Sequence, residues 1–168
     1  MAHPDRLFWH ALAAFLVCPG TVALVVPWLL RPEDGRLHPV GLPPLLVGVA
    51  LLLWCVRDFY VAGRGSLAPW APPERLVTVG LYRFSRNPMY VAVLMILSGW
   101  ALLHHSRSLW IYAAVVAIAF HLRIVFGEEP WLARTHGDQW AAYSARVPRW
   151  LLPLASPIRA ARRGRAER

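Results

Sequence analysis

Residues 89–103 and 109–126 are two apolar runs separated by the short polar stretch His104-His105-Ser106-Arg107. A membrane-crossing helix needs roughly 20 apolar residues, and a run down followed by a run back returns the chain to the side it left. Flanking the pair are Arg86-Asn87-Pro88-Met89-Tyr90 and Glu128-Glu129. The hairpin brings these two polar motifs to one membrane face, close enough to share a ligand. Two earlier apolar runs, 8–30 and 40–62, complete four expected spans. The first is interrupted at Cys18-Pro19-Gly20 and Pro27, and the second carries Arg57 and Asp58 near its end.

Apolar residues make up 57% of the 168 and charged residues only 16%, with mean hydropathy +0.41. This lies outside the soluble range. The expected fold class is therefore an all-α integral membrane bundle of about four helices. A removable signal peptide is a poor reading of the N-terminus, because the first run is too long and lacks a convincing small-residue cleavage site. Cys18 and Cys55 fall inside spans without paired spacing and read as small buried apolar residues.

The formal charge is +9, and all 18 basic residues are arginine. They sit in loops and in the tail, most densely at Arg159, Arg162, Arg163, Arg165 and Arg168. Beside a membrane such a cluster attracts anionic headgroups, so membrane lipids are the expected partners and nucleic acid is not. Arg64, Arg75, Arg83 and Arg86 crowd the segment 63–88. The excess of arginine on one side then predicts that this segment and both termini are cytoplasmic.

Gly63, Gly65, Pro69, Pro72, Pro73 and Gly80 punctuate the segment 63–88, too often for a long helix. Its apolar content (Leu67, Trp70, Leu76, Val77, Leu81 and Tyr82) predicts an ordered flap at the membrane surface. Pro130 suits the first turn of a new helix. The following stretch 131–147 mixes Trp131, Leu132, Trp140 and Tyr143 with polar residues and is interrupted by Gly137. It reads as an interfacial helix over the cytoplasmic end of the bundle. Residues 1–158 form one expected domain and 159–168 a loose basic tail.

Asn87 is a good N-cap and Pro88 fits a first helical turn. The free amides there favour a carboxylate or a ribose hydroxyl. Arg86 and Tyr90, four residues apart, serve equally as ligand contacts or as interfacial anchors. Glu128 and Glu129 repel each other at the negative end of a helix dipole and need cations nearby. Those cations are either loop arginines such as Arg83 and Arg86 or a positively charged ligand. Helical spacing sets Glu128 on a face with His121, Ile124 and Val125, pointing into the bundle. No metal site is expected, since His104 and His105 face apart and no third ligand joins them. His121 reads as a hydrogen-bonded bundle residue. Ala92 and Gly99, seven apart, permit close helix approach.

The runs Gly63-Arg64-Gly65-Ser66-Leu67-Ala68-Pro69, Leu76-Val77, Gly80-Leu81-Tyr82-Arg83 and Arg86-Asn87-Pro88-Met89-Tyr90 together carry a likeness. They resemble small bacterial members of the isoprenylcysteine carboxyl methyltransferase and phospholipid methyltransferase superfamily. Glu128-Glu129-Pro130, Gly137, Tyr143 and Arg146-Val147-Pro148-Arg149 look like its C-terminal signature, so the likeness covers the half 63–153. Two departures stand out: the family's Arg-His-Pro is Arg-Asn-Pro here, and its Gly two after the Tyr is Ala92.

The resemblance implies a membrane methyltransferase that uses S-adenosylmethionine at the cytoplasmic face, on a lipid-like or isoprenoid-type acceptor entering from the bilayer. It implies a bacterial inner membrane. Cofactor contacts are implied at Leu76, Val77, Tyr82, Asn87, Pro88, Met89, Tyr90 and Glu128, and Arg123 is the nearest equivalent of an arginine that helps hold the acceptor. In chemical terms Glu128 and Glu129 suit the donor's cationic groups, and Arg86 its carboxylate. A carboxylate acceptor needs no general base, whereas an amine must lose a proton, for which a buried glutamate is suited. Two other readings compete: a reductase similar to sterol reductases using NADPH, and a non-enzymatic bundle that binds lipid or a partner protein.

Overall fold

The computed structural model describes residues 16–32, 36–63 and 76–150, and it is all-α, with no strand among them. Several expected features lie outside the described residues: the start of the first span, the 64–75 part of the flap with its Gly65-to-Pro69 motif, and the basic tail. Helix α1 is a π-helical stretch Leu16–Val25 running into Val26–Leu30. Pro27 cannot donate to the carbonyl four residues back, and a widened ladder is the usual response to such a gap.

Helix α2, Leu42–Gly63, follows a 3₁₀ turn Pro39–Gly41 and carries prolines 43 and 44 in its first turn, where their missing N–H groups cost nothing. A second 3₁₀ turn, Gly80–Arg83, leads into α3, Pro88–Leu103. Helix α4, Arg107–Arg123, continues through a π turn, Ile124–Glu128, into α5, Glu129–Arg146.

Two helices are long and apolar enough to cross a membrane, Pro39–Asp58 and the continuous Arg107–Arg146. Gly20–Leu30 and Pro88–Leu103 are shorter apolar helices.

Helices α2 and α3 pack antiparallel along a seam of small residues. A methyl added at Gly48 would lie 2.9 Å from the Ala92 carbonyl oxygen, and one at Gly99 would lie 2.7 Å from the Leu45 backbone nitrogen. Backbone therefore meets backbone, the close approach expected from Ala92 and Gly99. Behind the seam Val93, Ile96 and Leu97 are buried against Leu52, Ala113 and Val116. Large apolar side chains point outward instead, among them Leu46, Leu53, Val115 and Ile118. That inversion suits a surface solvated by hydrocarbon rather than water.

The α3–α4 turn is tied to the start of α2. His38 N–H donates to the Leu103 carbonyl at 2.8 Å, and the His38 and His105 rings lie 4.2 Å apart. Ser106 caps α4 by accepting from the Leu109 amide at 3.4 Å. The histidine pair is thus a polar turn, as its sequence suggests.

At the other end the structure differs from the sequence reading. No break separates the fourth apolar run from the helix after Pro130. The π turn absorbs the proline: Pro130 has no N–H for the carbonyl four back, and the Glu129 amide reaches the Ile124 carbonyl five residues back. The interruption comes later, at Gly137, whose φ of +46° and ψ of −119° kink α5, a conformation that L side chains avoid.

Candidate functional site

The π turn decides where the two adjacent glutamates go, because a turn of altered pitch re-aims the side chains that follow it. Glu128 turns toward α3, where the Tyr90 hydroxyl donates to its Oε1. Arg123 Nε donates to the same oxygen at 2.8 Å. Regular α-helical spacing would have grouped Glu128 with His121. The altered pitch brings Arg123 to it, and His121 accepts instead from Trp150 Nε1 at 3.4 Å. The Tyr90 ring packs on Phe120 at 4.4 Å, which fixes the phenol's approach.

Glu129 faces the opposite way, into a clamp of two arginines. Arg149 grips it with two bonds, Nε to Oε1 and Nη2 to Oε2, both 2.8 Å. Arg86 Nη1 adds an ion pair at 3.0 Å to Oε1. The paired bonds from Arg149 hold the Glu129 carboxyl below the usual glutamate range, helped by the nearby charge of Arg86 and opposed by burial. Arg86 also lies over the Trp140 ring at 5.4 Å. Of the two loop cations that could meet the glutamates, Arg86 does so, while Arg83 is exposed.

Around this clamp two straps of chain are stitched together. The Arg86 amide donates to the Pro148 carbonyl at 2.9 Å, and Asn87 Nδ2 donates to the Arg149 carbonyl at 2.9 Å. Ser85 Oγ donates to that carbonyl at 3.3 Å and accepts from the Asn87 amide at 3.1 Å. This corrects the expected role of Asn87. It occupies the N-cap position before Pro88, yet its side chain makes no cap bond to α3, because the Arg149 carbonyl takes its amide instead. Asn suits that bond, since its side-chain nitrogen donates without carrying charge.

A third contact closes the loop before α3 onto α5: the Tyr143 hydroxyl donates to the Tyr82 carbonyl at 2.7 Å. Burial pushes the Tyr143 phenol up to about 12, so it stays a donor at any physiological pH. Tyr82 and Val77 are buried with Cys55 of α2, and Leu81 and Met89 pack against them. Leu76 is half-buried beside Val77, and Pro88 is buried at the start of α3.

The structure thus gathers Arg86, Asn87, Tyr90, Arg123, Glu128 and Glu129 at one end of the bundle, with Val77, Tyr82 and Met89 alongside. Arg149, Tyr143 and Trp140 were not singled out as site residues from sequence. Arg149 and Tyr143 stood in the C-terminal signature, but nothing local to residue 149 reveals that its partner is 20 positions earlier. Among the described residues no group of three or more His, Cys, Asp or Glu side chains is arranged to hold a metal ion.

Searches of curated proteins and of solved structures returned no match to this sequence. Residues 38–139 match the family model described as phospholipid methyltransferase. That stretch runs from the 3₁₀ turn before α2, through the Arg86-to-Tyr90 strap and both glutamates, into α5. With more than half of the chain matched, the protein belongs to the phospholipid methyltransferase family, membrane enzymes that methylate lipids.

Proposed function

We propose that this protein uses S-adenosylmethionine to methylate the headgroup amine of a phospholipid-like acceptor at the cytoplasmic face of a bacterial inner membrane. The observation that carries the reading is the Tyr90–Glu128–Arg123 group, in which phenol and guanidinium both bond Oε1 of one carboxylate. That arrangement anchors Oε1 and spends neither bond on Oε2, which is left for a ligand.

The residues present fit the donor. Arg86 Nε is buried with no hydrogen-bond partner among the described residues, an unspent N–H for the donor's carboxylate. Glu128 keeps a third of its side chain accessible, 33%, so a cationic ammonium or sulfonium can reach it. Val77, Met89 and Tyr82 offer an apolar wall for the adenine, with Leu76, Asn87 and Pro88 beside it. When bound, S-adenosylmethionine supplies an electrophilic methyl group on a sulfonium.

The chain's own part is positioning, exclusion of water and one proton. Glu128 Oε2 accepts the proton that the acceptor ammonium must lose before its nitrogen lone pair can form the new carbon–nitrogen bond. Tyr90 and Arg123 hold Oε1 still while this happens. Arg123, more than half exposed, also stands where an incoming lipid phosphate meets a guanidinium. Glu129 acts through structure: it ties the Arg86 strap to the Arg149 strap and so roofs the site.

The same reading takes the chain as one domain, 1–158, with four spans, a flap over the site, both termini cytoplasmic and a basic tail against anionic headgroups. Among the described residues Arg83, Arg86, Arg123, Arg146 and Arg149 belong to the segments at one end, against Arg31, Arg36 and Arg107 at the other, beside His38, His104 and Ser106. That asymmetry supports the orientation.

Calorimetry on the purified protein tests the central residue. Glu128→Gln keeps its shape but loses its charge, and S-adenosylmethionine binding should weaken about tenfold or more. Equal affinity in the variant refutes the role of Glu128. A radiolabelled methyl donor with aminophospholipid vesicles then tests the acceptor. Label stable to mild base is expected, whereas label released as methanol identifies a methyl ester and overturns the amine assignment.

A further inference from the structure

One buried carboxylate belongs to neither glutamate group. Asp58 lies near the end of α2, only 6% exposed. Its Oδ2 is fully buried and has no hydrogen-bond partner among the described residues. Among the described residues the Oδ1 atom has a distant ion pair, 3.8 Å to Arg57, whose side chain is 73% exposed. Such a pair contributes little. A buried carboxylate oxygen without a donor is costly, and native structures satisfy nearly all such atoms. The α2 position would pack an apolar residue at no such cost.

The backbone is shaped around this oxygen. Gly80 sits at φ +56°, and any side chain there would overlap Asp58 Oδ2. Glycine therefore serves twice, admitting the left-handed turn and letting the carboxylate pack directly on the backbone. The loop that Gly80 turns is the one bearing Val77 and Tyr82, which form a buried cluster with Cys55, one turn from Asp58 on α2. Met89 packs on that cluster and also on the main bundle core, and its chain neighbour Tyr90 bonds Glu128. The loop packed on Asp58 thus meets, through Met89, the first turn of α3, whose Tyr90 bonds Glu128.

The methyl donor has matching chemistry: a cationic amino-acid end, an apolar purine face and one vicinal diol. With the cation at Glu128, the groups left for Asp58 are hydroxyls. We infer that Asp58 is a further donor-binding residue, its Oδ2 accepting hydrogen bonds from the ribose hydroxyls of S-adenosylmethionine. The inference rests on the donor reading above. Carboxylates accept from ribose hydroxyls on unrelated folds for the same reason: two adjacent O–H donors match the lone pairs of one anion.

The test is calorimetric and needs no turnover. Full-length protein is titrated with S-adenosylhomocysteine and with its 2′,3′-dideoxy analogue. Wild-type protein should prefer the ribose form by about tenfold or more, the range of hydrogen bonds to a charged group. Asp58→Asn should lose most of that preference while binding the dideoxy form as wild-type does. Gly80→Ala, which displaces Oδ2, should lose it too. Wild-type protein that binds both forms equally overturns the inference, whether or not either variant folds. So does an Asp58→Asn protein that keeps the full preference. Wild-type protein that binds neither form overturns the donor reading as well, so the two failures are distinct.

Discussion

The seam between α2 and α3 and the glutamate end of the bundle are held by opposite means. At the seam Gly48 and Gly99 let backbones touch, and the residues that meet there, Leu45, Ala92 and Ile96, carry no charge. At the glutamate end two carboxylates are held by Arg86, Arg123 and Arg149 through bonds of 2.8 to 3.0 Å. Steric fit of this kind has one solution, because a methyl group too many has nowhere to go. Charge-assisted bonds are individually strong but exchangeable, since a ligand bearing ammonium and carboxylate groups can enter the same network. The seam is held by shape, and the glutamate end by charge.

The largest expected effect tests the frame. Gly99→Leu forces a side chain into the Leu45 backbone, and it should cost about 3 kcal/mol or more in stability. Chemical unfolding in detergent measures it, and an unchanged midpoint would show that the helices are not in contact as described.

Arg149→Ala probes the other end at a smaller scale. It removes both bonds to Glu129, of which 17% stays exposed, but leaves Arg86 in place. A cost of about 1–2 kcal/mol is expected after allowing for solvent. Donor affinity should fall as well, because the segment whose carbonyl holds Asn87 loses its side-chain anchor on Glu129. In contrast, Gly99 variants that remain folded should bind donor normally. A Gly99 variant with weakened binding but normal stability would erase the contrast between the two regions.

The smallest effect is in acid. Glu129 has its pKa lowered from 4.5 in the folded protein, chiefly by Arg149. Its contribution is therefore complete above pH 4.5 and is lost as pH falls through the lower folded value. Unfolding midpoints of wild-type and Glu129→Gln proteins should differ at neutral pH and converge below that window. A constant gap down to the most acid pH would mean that Glu129 is not paired as a carboxylate.

Much of this was legible in the chain itself. Apolar runs announced helices in an apolar solvent, because a backbone in lipid must satisfy its own hydrogen bonds. The spacing of Ala92 and Gly99 announced close packing, since period and residue size are local properties. The order of motifs from Leu76 to Pro130 announced the family. Two glutamates at a helix end announced a need for cations, and Arg86 was among those named.

The partners were decided only by folding. Glu128 and Glu129 are identical neighbours in sequence, and regular helical pitch gives no reason why one should meet Tyr90 and Arg123 and the other Arg86 and Arg149. That choice follows from the π turn at Ile124–Glu128, which arises because Pro130 withholds a donor and the ladder shifts by one residue. Asn87 likewise reads as a cap until the Arg149 carbonyl, 62 residues away, claims its side chain. Asp58 reads as an acid near the end of a span until Gly80 folds down upon it. Local sequence fixes which bonds a residue is able to make, and the long-range approach of other chain segments fixes which it does make.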